Sequence, residues 1–562
     1  METPRSFREW LQREEELGEV VRIKVPIKCG DPNAVVDVVP EWLRKKHMEI
    51  LNCPGAAGKQ METELRALVR YLHTLPKKPI GYIEKPINNK PDVPVIVNLW
   101  ATRERVLRMY GCKDKEELVK KISRLGKALI KPVEVPKRQA PCKEVIIPEE
   151  KVNLYEQVPR CWVEFENVPW SATGGGQWII YDPETATHDL GEWRAGFFEW
   201  VDGDPNKPFP EERRKRYMYV TLIYAGPVET DGGRYYREKF RKLNKPMPAA
   251  LAYLNDPAIL CVAVPRLPLV WPEDGVDEYA AAGGLKGEPI EVVESETIPG
   301  LMVPAHAEWV FEGEFLPEDY IIPKFGEAIF SGHMFGQEAC PIFRIKCITH
   351  RRDPLWGLTW SSNGLDHEGP HTPLANLVFE AEAIIYLRGN GYAVKDVVSY
   401  DMETIVIQTE IDGLQKQPWY GKTVLQAFYA CPNRYLGNSN KYYICVGPDI
   451  DPYDLRDVLW AVNMRAQPVS DSIIIEKGLA AWGDPSALPG PLGWKTYGEQ
   501  ILIDALIKVP ERYNYFEPRS EPKEWELKEI QRIKEKLEES RDPHARYEKV
   551  TNRAPPRFSA TR

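Results

Sequence analysis

The apolar positions along the chain change their period twice. Near the start, Phe7, Trp10, Leu11 and Leu17 recur at helical spacing, Gly18 follows, and residues 20–25 are rich in Val and Ile, so the pattern predicts a helix, a glycine stop and a strand. Helices are also predicted over 61–73 and 102–132, the second rich in Lys and Glu, with a proline-punctuated stretch over 76–94 between them. From about 150 to 350 the apolar runs shorten. Residues 177–181, 217–224, 258–264, 290–293, 309–311 and 341–349 read as strands, and their turn-rich spacing suggests a mostly antiparallel sheet or barrel with inserted helices. The third stretch opens with a helical pattern over 374–387 and continues with strands over 393–399, 404–409 and 441–446. There, Asp451-Pro452-Tyr453-Asp454 offers a capping acid, a proline at the first helical position and an acid two residues later, ahead of a helix over 455–464. Residues 522–540 form a charged amphipathic helix pattern (Leu527, Ile530, Ile533, Leu537), and 541–562 has the composition of a tail that orders only against a partner.

These changes divide the chain into an α/β region over 1–135, a strand-rich region over 145–355, a second α/β region over 365–500, and a charged helix with an extended tail over 501–562. A linker is expected within 131–148, which holds four prolines. At 562 residues the chain is about four times the usual domain size. Its 50 prolines favour a loop-rich enzyme over a helical bundle. Lys and Arg number 74 against 83 Asp and Glu, a net charge of −9 that argues against a nucleic-acid binder. No run reaches the length of a membrane span; the nearest, 258–270, is broken by Pro265, Arg266 and Pro268. The N-terminal residues lack the basic and apolar regions of a secretory leader, so a cytoplasmic protein is expected. Ten scattered cysteines without a C-x-x-C pair read as reduced, mostly buried thiols.

Short motifs give little. A P-loop, a G-x-S-x-G elbow and an H-E-x-x-H helix are all missing from the sequence, and Gly174-Gly175-Gly176 lacks the context of a dinucleotide fold. His367 and His371 stand four apart, but Gly369-Pro370 between them argues against a shared helical face, so one of them serving as a polar active-site residue is favoured over a metal pair.

Longer blocks are more informative. They run from Tyr181-Asp182-Pro183-Glu184 and Asp189-Leu190-Gly191-Glu192-Trp193-Arg194, through Gly275-Val276-Asp277-Glu278-Tyr279 and Val303-Pro304-Ala305-His306-Ala307-Glu308-Trp309, to Ile348-Thr349-His350-Arg351-Arg352-Asp353-Pro354 and Asp449-Ile450-Asp451-Pro452. In this order they resemble the UbiD family of reversible decarboxylases that use prenylated FMN. The resemblance implies an α/β plus β architecture in three parts, with a split β-barrel flavin-binding domain between N-terminal and C-terminal α/β domains. It implies an aromatic substrate with CO2, a cofactor supplied by a flavin prenyltransferase, and K+ together with Mn2+ or Mg2+. It also implies a homo-oligomer, dimer or hexamer, with a second small subunit as the open alternative.

Residue by residue, the resemblance places Arg194 as the carboxylate-gripping arginine, with Trp193 beside it at the cofactor, and gives Asp189 and Glu278 to the metal and the flavin phosphate. The family's usual third ligand, a histidine, is absent here, and Glu229, two residues after Pro227, is the expected substitute; the alternative is that Glu229 and Asp231 are both ordinary loop acids. In Ile322-Pro323-Lys324-Phe325-Gly326-Glu327, Glu327 keeps the proton-donor position while Ile322 replaces a family glutamate. Among the histidines, His371 is preferred over His333 and His367 as the additional catalytic group. The loss of a glutamate at Ile322 leaves two readings: an enzyme acting on a less polar aromatic ring, or a flavin-binding but catalytically silent scaffold subunit.

Overall fold

The computed structural model describes residues 3–29, 35–37, 45, 59–61, 64–161, 176–198, 208–222, 230–264, 271–321, 339–358, 372–400, 404–413, 419–431, 441–479, 488–489, 495–508 and 524–539. Helix α1 (Phe7–Glu16) starts at Ser6, whose hydroxyl accepts the Glu9 amide, and the chain leaves it through Gly18 at φ 70°, a left-handed turn that suits glycine. Strand β1 (Val20–Ile23) follows, as the pattern predicts. After α2 (Glu64–Thr74) come β2 (Ile80–Ile83) and β3 (Val95–Val97).

The single helix expected over 102–132 is two, α3 (Arg103–Met109) and α4 (Lys115–Ile122). Gly111 at φ 65° turns the chain out of the first, and Asp114 starts the second by accepting the Glu117 amide at 2.9 Å. The expected linker is also packed structure. Val133–Glu134 pairs with Glu291 and Val292, Cys142 and Lys143 are buried, and β4 (Val145–Pro148) joins the central sheet.

That sheet is built from β5 (Gly176–Asp182), β6 (Thr187–Gly191), β7 (Ala195–Phe197), β8 (Tyr217–Val220), β9 (Met247–Tyr253), β10 (Trp309–Ile321) and β11 (Cys340–His350). Its strand order is β6-β5-β9-β10-β11-β8-β7, with β4 on β11 and every ladder antiparallel. The two edge strands are consecutive in the chain. Laid flat, seven strands would put the edges roughly 29 Å apart, whereas the link from Gly191 to Ala195 through Glu192, Trp193 and Arg194 spans at most about 14 Å. The sheet is therefore curled until its edges face each other across that link. Trp178, Phe315 and Phe343 pack together inside the curl, with ring centroids 4.9–5.1 Å apart.

One predicted strand is a helix. Residues 258–263 lie in α5 (Pro257–Ala263) and Val264 ends it, because Asp256 caps the helix by accepting the Ala258 amide and Pro257 fits the first helical position. Helix α6 (Glu278–Lys286) begins behind Asp277. After the central sheet, β12 (Trp356–Leu358) returns to complete the first sheet, in the order β1-β2-β3-β12.

The last region contains α7 (Thr372–Gly389), β13 (Val394–Tyr400), β14 (Thr404–Thr409), α8 (Tyr420–Tyr429), β15 (Tyr442–Val446), α9 (Leu455–Arg465), β16 (Ser472–Leu479) and β17 (Lys495–Ala505). Its sheet runs β13-β14-β15-β17-β16. Helix α9 is capped by Asp454, which accepts the Arg456 amide, and the expected cap Asp451 instead accepts the Tyr453 amide in the preceding turn. Helix α10 (Glu524–Glu539) matches the amphipathic pattern. The nine described cysteines are buried free thiols. No described helix is long and apolar enough to cross a membrane.

Buried carboxylates hold the regions together. Glu380 on α7 accepts two hydrogen bonds of 2.7 Å from Arg103, one of 2.9 Å from Lys115 and one of 2.8 Å from the Ser399 amide. Glu308, just before β10, accepts Arg8 of α1 at 2.8 and 2.9 Å and the Leu355 amide at 2.9 Å. Burial pushes the Glu380 carboxyl up, but Arg103 and Lys115 outweigh it and hold it below its ordinary value. Its stabilisation is thus present above the unfolded-chain value near pH ~4.3 and is lost as pH falls through the lower folded value. Replacing Glu380 by Gln, which leaves two partly buried cations facing a neutral amide, is expected to cost about 3 kcal/mol in denaturant unfolding at neutral pH and to remove this part of the acid transition.

Candidate functional site

The link between the two edge strands carries the expected chemistry. Trp193 is buried, and its carbonyl accepts the Trp178 indole N–H at 2.8 Å. Its ring lies where side chains at 191 and 232 would otherwise stand. A Cβ on Gly191 would come 2.4 Å from Trp193 Cζ2, and one on Gly232 would come 2.5 Å from Cη2. Arg194, also buried, is fixed through its backbone: its N–H donates to the Thr221 hydroxyl at 3.0 Å, and its carbonyl accepts the Thr221 amide at 2.9 Å. The side chain is thus rooted at the seam of the curled sheet.

Asp189 lies on β6 opposite Ile180 of β5, and Glu278 is the first residue of α6. The Leu190 amide donates to Glu278 Oε2 at 2.6 Å, which brings the helix start against the strand beside Asp189. Asp189 Oδ2 is buried and has no hydrogen-bond partner among the described residues. Burial raises the Asp189 carboxyl to about 8, with the charge of Asp231 adding to the rise and Arg234 opposing it. Glu278 is pushed well above its ordinary value by burial and by Asp189, with Asp231 and Asp277 adding and the Leu190 hydrogen bond opposing. Two buried carboxylates, from a strand and a helix start, therefore stand together, with the partly exposed Asp231 of the short helix Asp231–Tyr235 close enough to act on both.

Sequence reasoning treated Asp231 as a loop acid and gave no role to His188, Asp277 or Thr221. His188 adjoins Asp189 in the chain, but a lone histidine in a strand carries no signal until its partner is known. Glu229, Ile322, Glu327, His333, His367 and His371 lie outside the described residues. Among the described residues no three acids, thiols or imidazoles stand in ready coordinating geometry. The donor set of Asp189, Glu278 and Asp231 is nevertheless all oxygen, matching the preference of Mg2+ and Mn2+, and the partnerless Asp189 oxygen leaves coordination capacity.

Gly232→Ala tests how tightly this region is packed. Its Cβ would meet Trp193 Cη2, Asp189 Oδ2 and Ile180 Cδ1 at 2.5–2.7 Å. A loss of about 1–3 kcal/mol is expected in denaturant unfolding.

Comparison with known proteins places this site in a family. Residues 133–363 match the model of the 3-octaprenyl-4-hydroxybenzoate carboxy-lyase Rift-related domain, and residues 392–505 match that of the C-terminal domain of the same carboxy-lyase. Among solved structures, HmfF from Pelotomaculum thermopropionicum in complex with FMN is 21% identical with a TM-score of 0.69, over 92% of this chain and 97% of that one. Vanillic acid decarboxylase from Sedimentibacter hydroxybenzoicus in its open form is 22% identical with a TM-score of 0.67, over 96% of this chain and 100% of that one. The apo 3,4-dihydroxybenzoic acid decarboxylase AroY of Klebsiella pneumoniae is 20% identical with a TM-score of 0.69, over 92% of this chain and 97% of that one.

Proposed function

The chain belongs to the UbiD family, whose members are carboxy-lyases, and from that premise we propose that it interconverts an aromatic acid with its arene and CO2 using prenylated FMN. The observation that carries this reading is the buried junction at the sheet seam, where Arg194 stands five residues from Asp189, Asp189 Oδ2 is buried without a hydrogen-bond partner among the described residues, and the Leu190 amide holds Glu278 beside it. Carboxylates brought together out of water call for a cation. In this reading Asp189 and Glu278 hold Mn2+ or Mg2+ at the flavin phosphate, with Glu229 or Asp231 as the third oxygen donor and K+ nearby. The likeness to structures holding FMN and prenylated FMN supports the choice of cofactor.

When bound, the prenylated flavin supplies the electron sink that no side chain provides for loss of CO2 from an sp2 carbon. The chain's own residues do the rest. Arg194 grips the substrate carboxylate through its planar fork and orients the ring. Trp193 walls the cofactor side of the pocket. Glu327 exchanges a proton with the ring carbon, and His371 is the additional polar catalytic group. The curled central sheet is read as the split barrel of the flavin domain, over 145–355, between α/β domains over 1–135 and 365–500, with 501–562 as helix and tail. A homo-oligomer built through the C-terminal domain is the expected assembly. A similar structure described as an evolved dimeric form supports it, and the two-component name of the vanillic acid decarboxylase keeps a second subunit open.

Ile322, where a family glutamate is expected, favours a less polar ring as substrate and the carboxylation of a poorly activated arene as the physiological direction. The same substitution motivates the second reading, a flavin-binding subunit without its own turnover.

Reconstitution with prenylated FMN, Mn2+ and K+ is expected to give exchange of labelled CO2 into unsubstituted aromatic acids such as benzoate, naphthoate or phenanthroate in preference to hydroxybenzoates. Arg194→Ala is expected to lower the exchange rate by about 10²-fold or more, and Glu327→Gln by about 10²–10⁴-fold with flavin binding retained. Flavin bound without exchange into any aryl acid would establish the scaffold reading instead.

A further inference from the structure

The strand that carries Asp189 touches the start of α6 at a second point that the chemistry above does not use. His188 is 4% exposed, its ring held between Tyr181 and Tyr279 with centroids 4.9 and 5.2 Å away. The Met302 amide donates to His188 Nε2 at 3.1 Å, so that nitrogen is an acceptor and the ring proton sits on Nδ1. Nδ1–H therefore donates to Asp277 Oδ2, at 2.8 Å. The other oxygen of Asp277 accepts the Tyr279 amide at 2.9 Å and caps α6. Both Asp277 oxygens are thus committed, one to the helix and one to the strand. Two residues along the strand, the Leu190 amide holds Glu278 Oε2.

We propose that His188 is a positioning residue for the cation site: through Asp277 it locks the first turn of α6 against β6, and so fixes the Glu278 carboxylate beside Asp189. Burial of two like-charged groups side by side drives them apart, and a single amide on Glu278 resists that with one hydrogen bond. The His188–Asp277 bond supplies a second anchor, one residue before Glu278 on the helix side and one before Asp189 on the strand side. Oxygen ligands then keep their spacing whether or not the ion is present, which is the role outer hydrogen-bond partners have at metal sites. The inference rests on the cation-site reading given above.

Two amide substitutions separate the contacts of the ring. In His188→Asn the side-chain NH2 falls near the Nδ1 position and still donates to Asp277. In His188→Gln the amide reaches the Nε2 position, where its oxygen accepts the Met302 amide and no donor faces Asp277. Mn2+ affinity is read from the free-ion EPR signal on titrating the full-length, FMN-loaded protein, with thermal melting run alongside to confirm folding. His188→Gln is expected to weaken Mn2+ binding by about 10–100-fold, while His188→Asn stays within about threefold of the unsubstituted chain. Unchanged Mn2+ affinity in His188→Gln would overturn the proposal, as would equal losses in both variants, since donation to Asp277 would then not be the property that matters. Absence of Mn2+ binding by the unsubstituted protein would overturn the cation-site reading and this proposal together.

Discussion

A carboxylate removed from water must be compensated, and the way each one is compensated organises this molecule. Glu308 does it with Arg8 and an amide, and in doing so fastens the first helix to the central sheet. Glu312 is met by Lys143, the hydroxyls of Ser295 and Thr297, and two amides, which pins the 295–297 turn to β10. Glu380 gathers Arg103, Lys115 and Ser399, and joins α7 to the two helices cut from the Lys/Glu-rich stretch. Asp189 and Glu278 break the rule. One amide reaches Glu278, Asp189 Oδ2 has no partner among the described residues, and both groups titrate far above their ordinary range. Glu308, Glu312 and Glu380 each have a cation and an amide in hydrogen-bond contact, and the Asp189–Glu278 pair, which has no such cation among the described residues, is where the proposed metal ion would supply the missing charge.

Topology explains why so much of that site comes from a few consecutive residues. The central sheet begins and ends at strands that are neighbours in the sequence, so one short link closes it. Arg194, Trp193 and Asp189 fall on that link and the strand before it, and their spacing in the chain is conserved in space by the ladder and by Thr221. Among the described residues, Glu278 and Asp231 are brought from afar, and each arrives at the start of a helix.

The parts of this arrangement that were legible in the sequence were those with a local signature. The first helix with its stop at Gly18 and the strand at 177–181 lie where the pattern puts them. The failures have equally local causes. Residues 258–264 look like a strand because they are buried all round, and Asp256-Pro257, a cap followed by a first-turn proline, was the stronger signal. The 102–132 pattern continued through Gly111 and Asp114 because periodicity alone ignores stops. Strand β9 was missed because Ala-rich runs carry weak strand preference, although it lies at the centre of the sheet. Asp231 and His188 could not be read from the chain, since their significance is a distance to residues dozens of positions away.

The return of β12 to the first sheet bears on how the protein comes into being. That sheet needs Trp356–Leu358 as its fourth strand, α1 needs Glu308, and α3 and α4 need Glu380. On the ribosome, the N-terminal third therefore waits with Arg8, Arg103 and Lys115 still solvated until more than half the polypeptide has emerged. The early segment therefore cannot reach its final state until these later residues have been made.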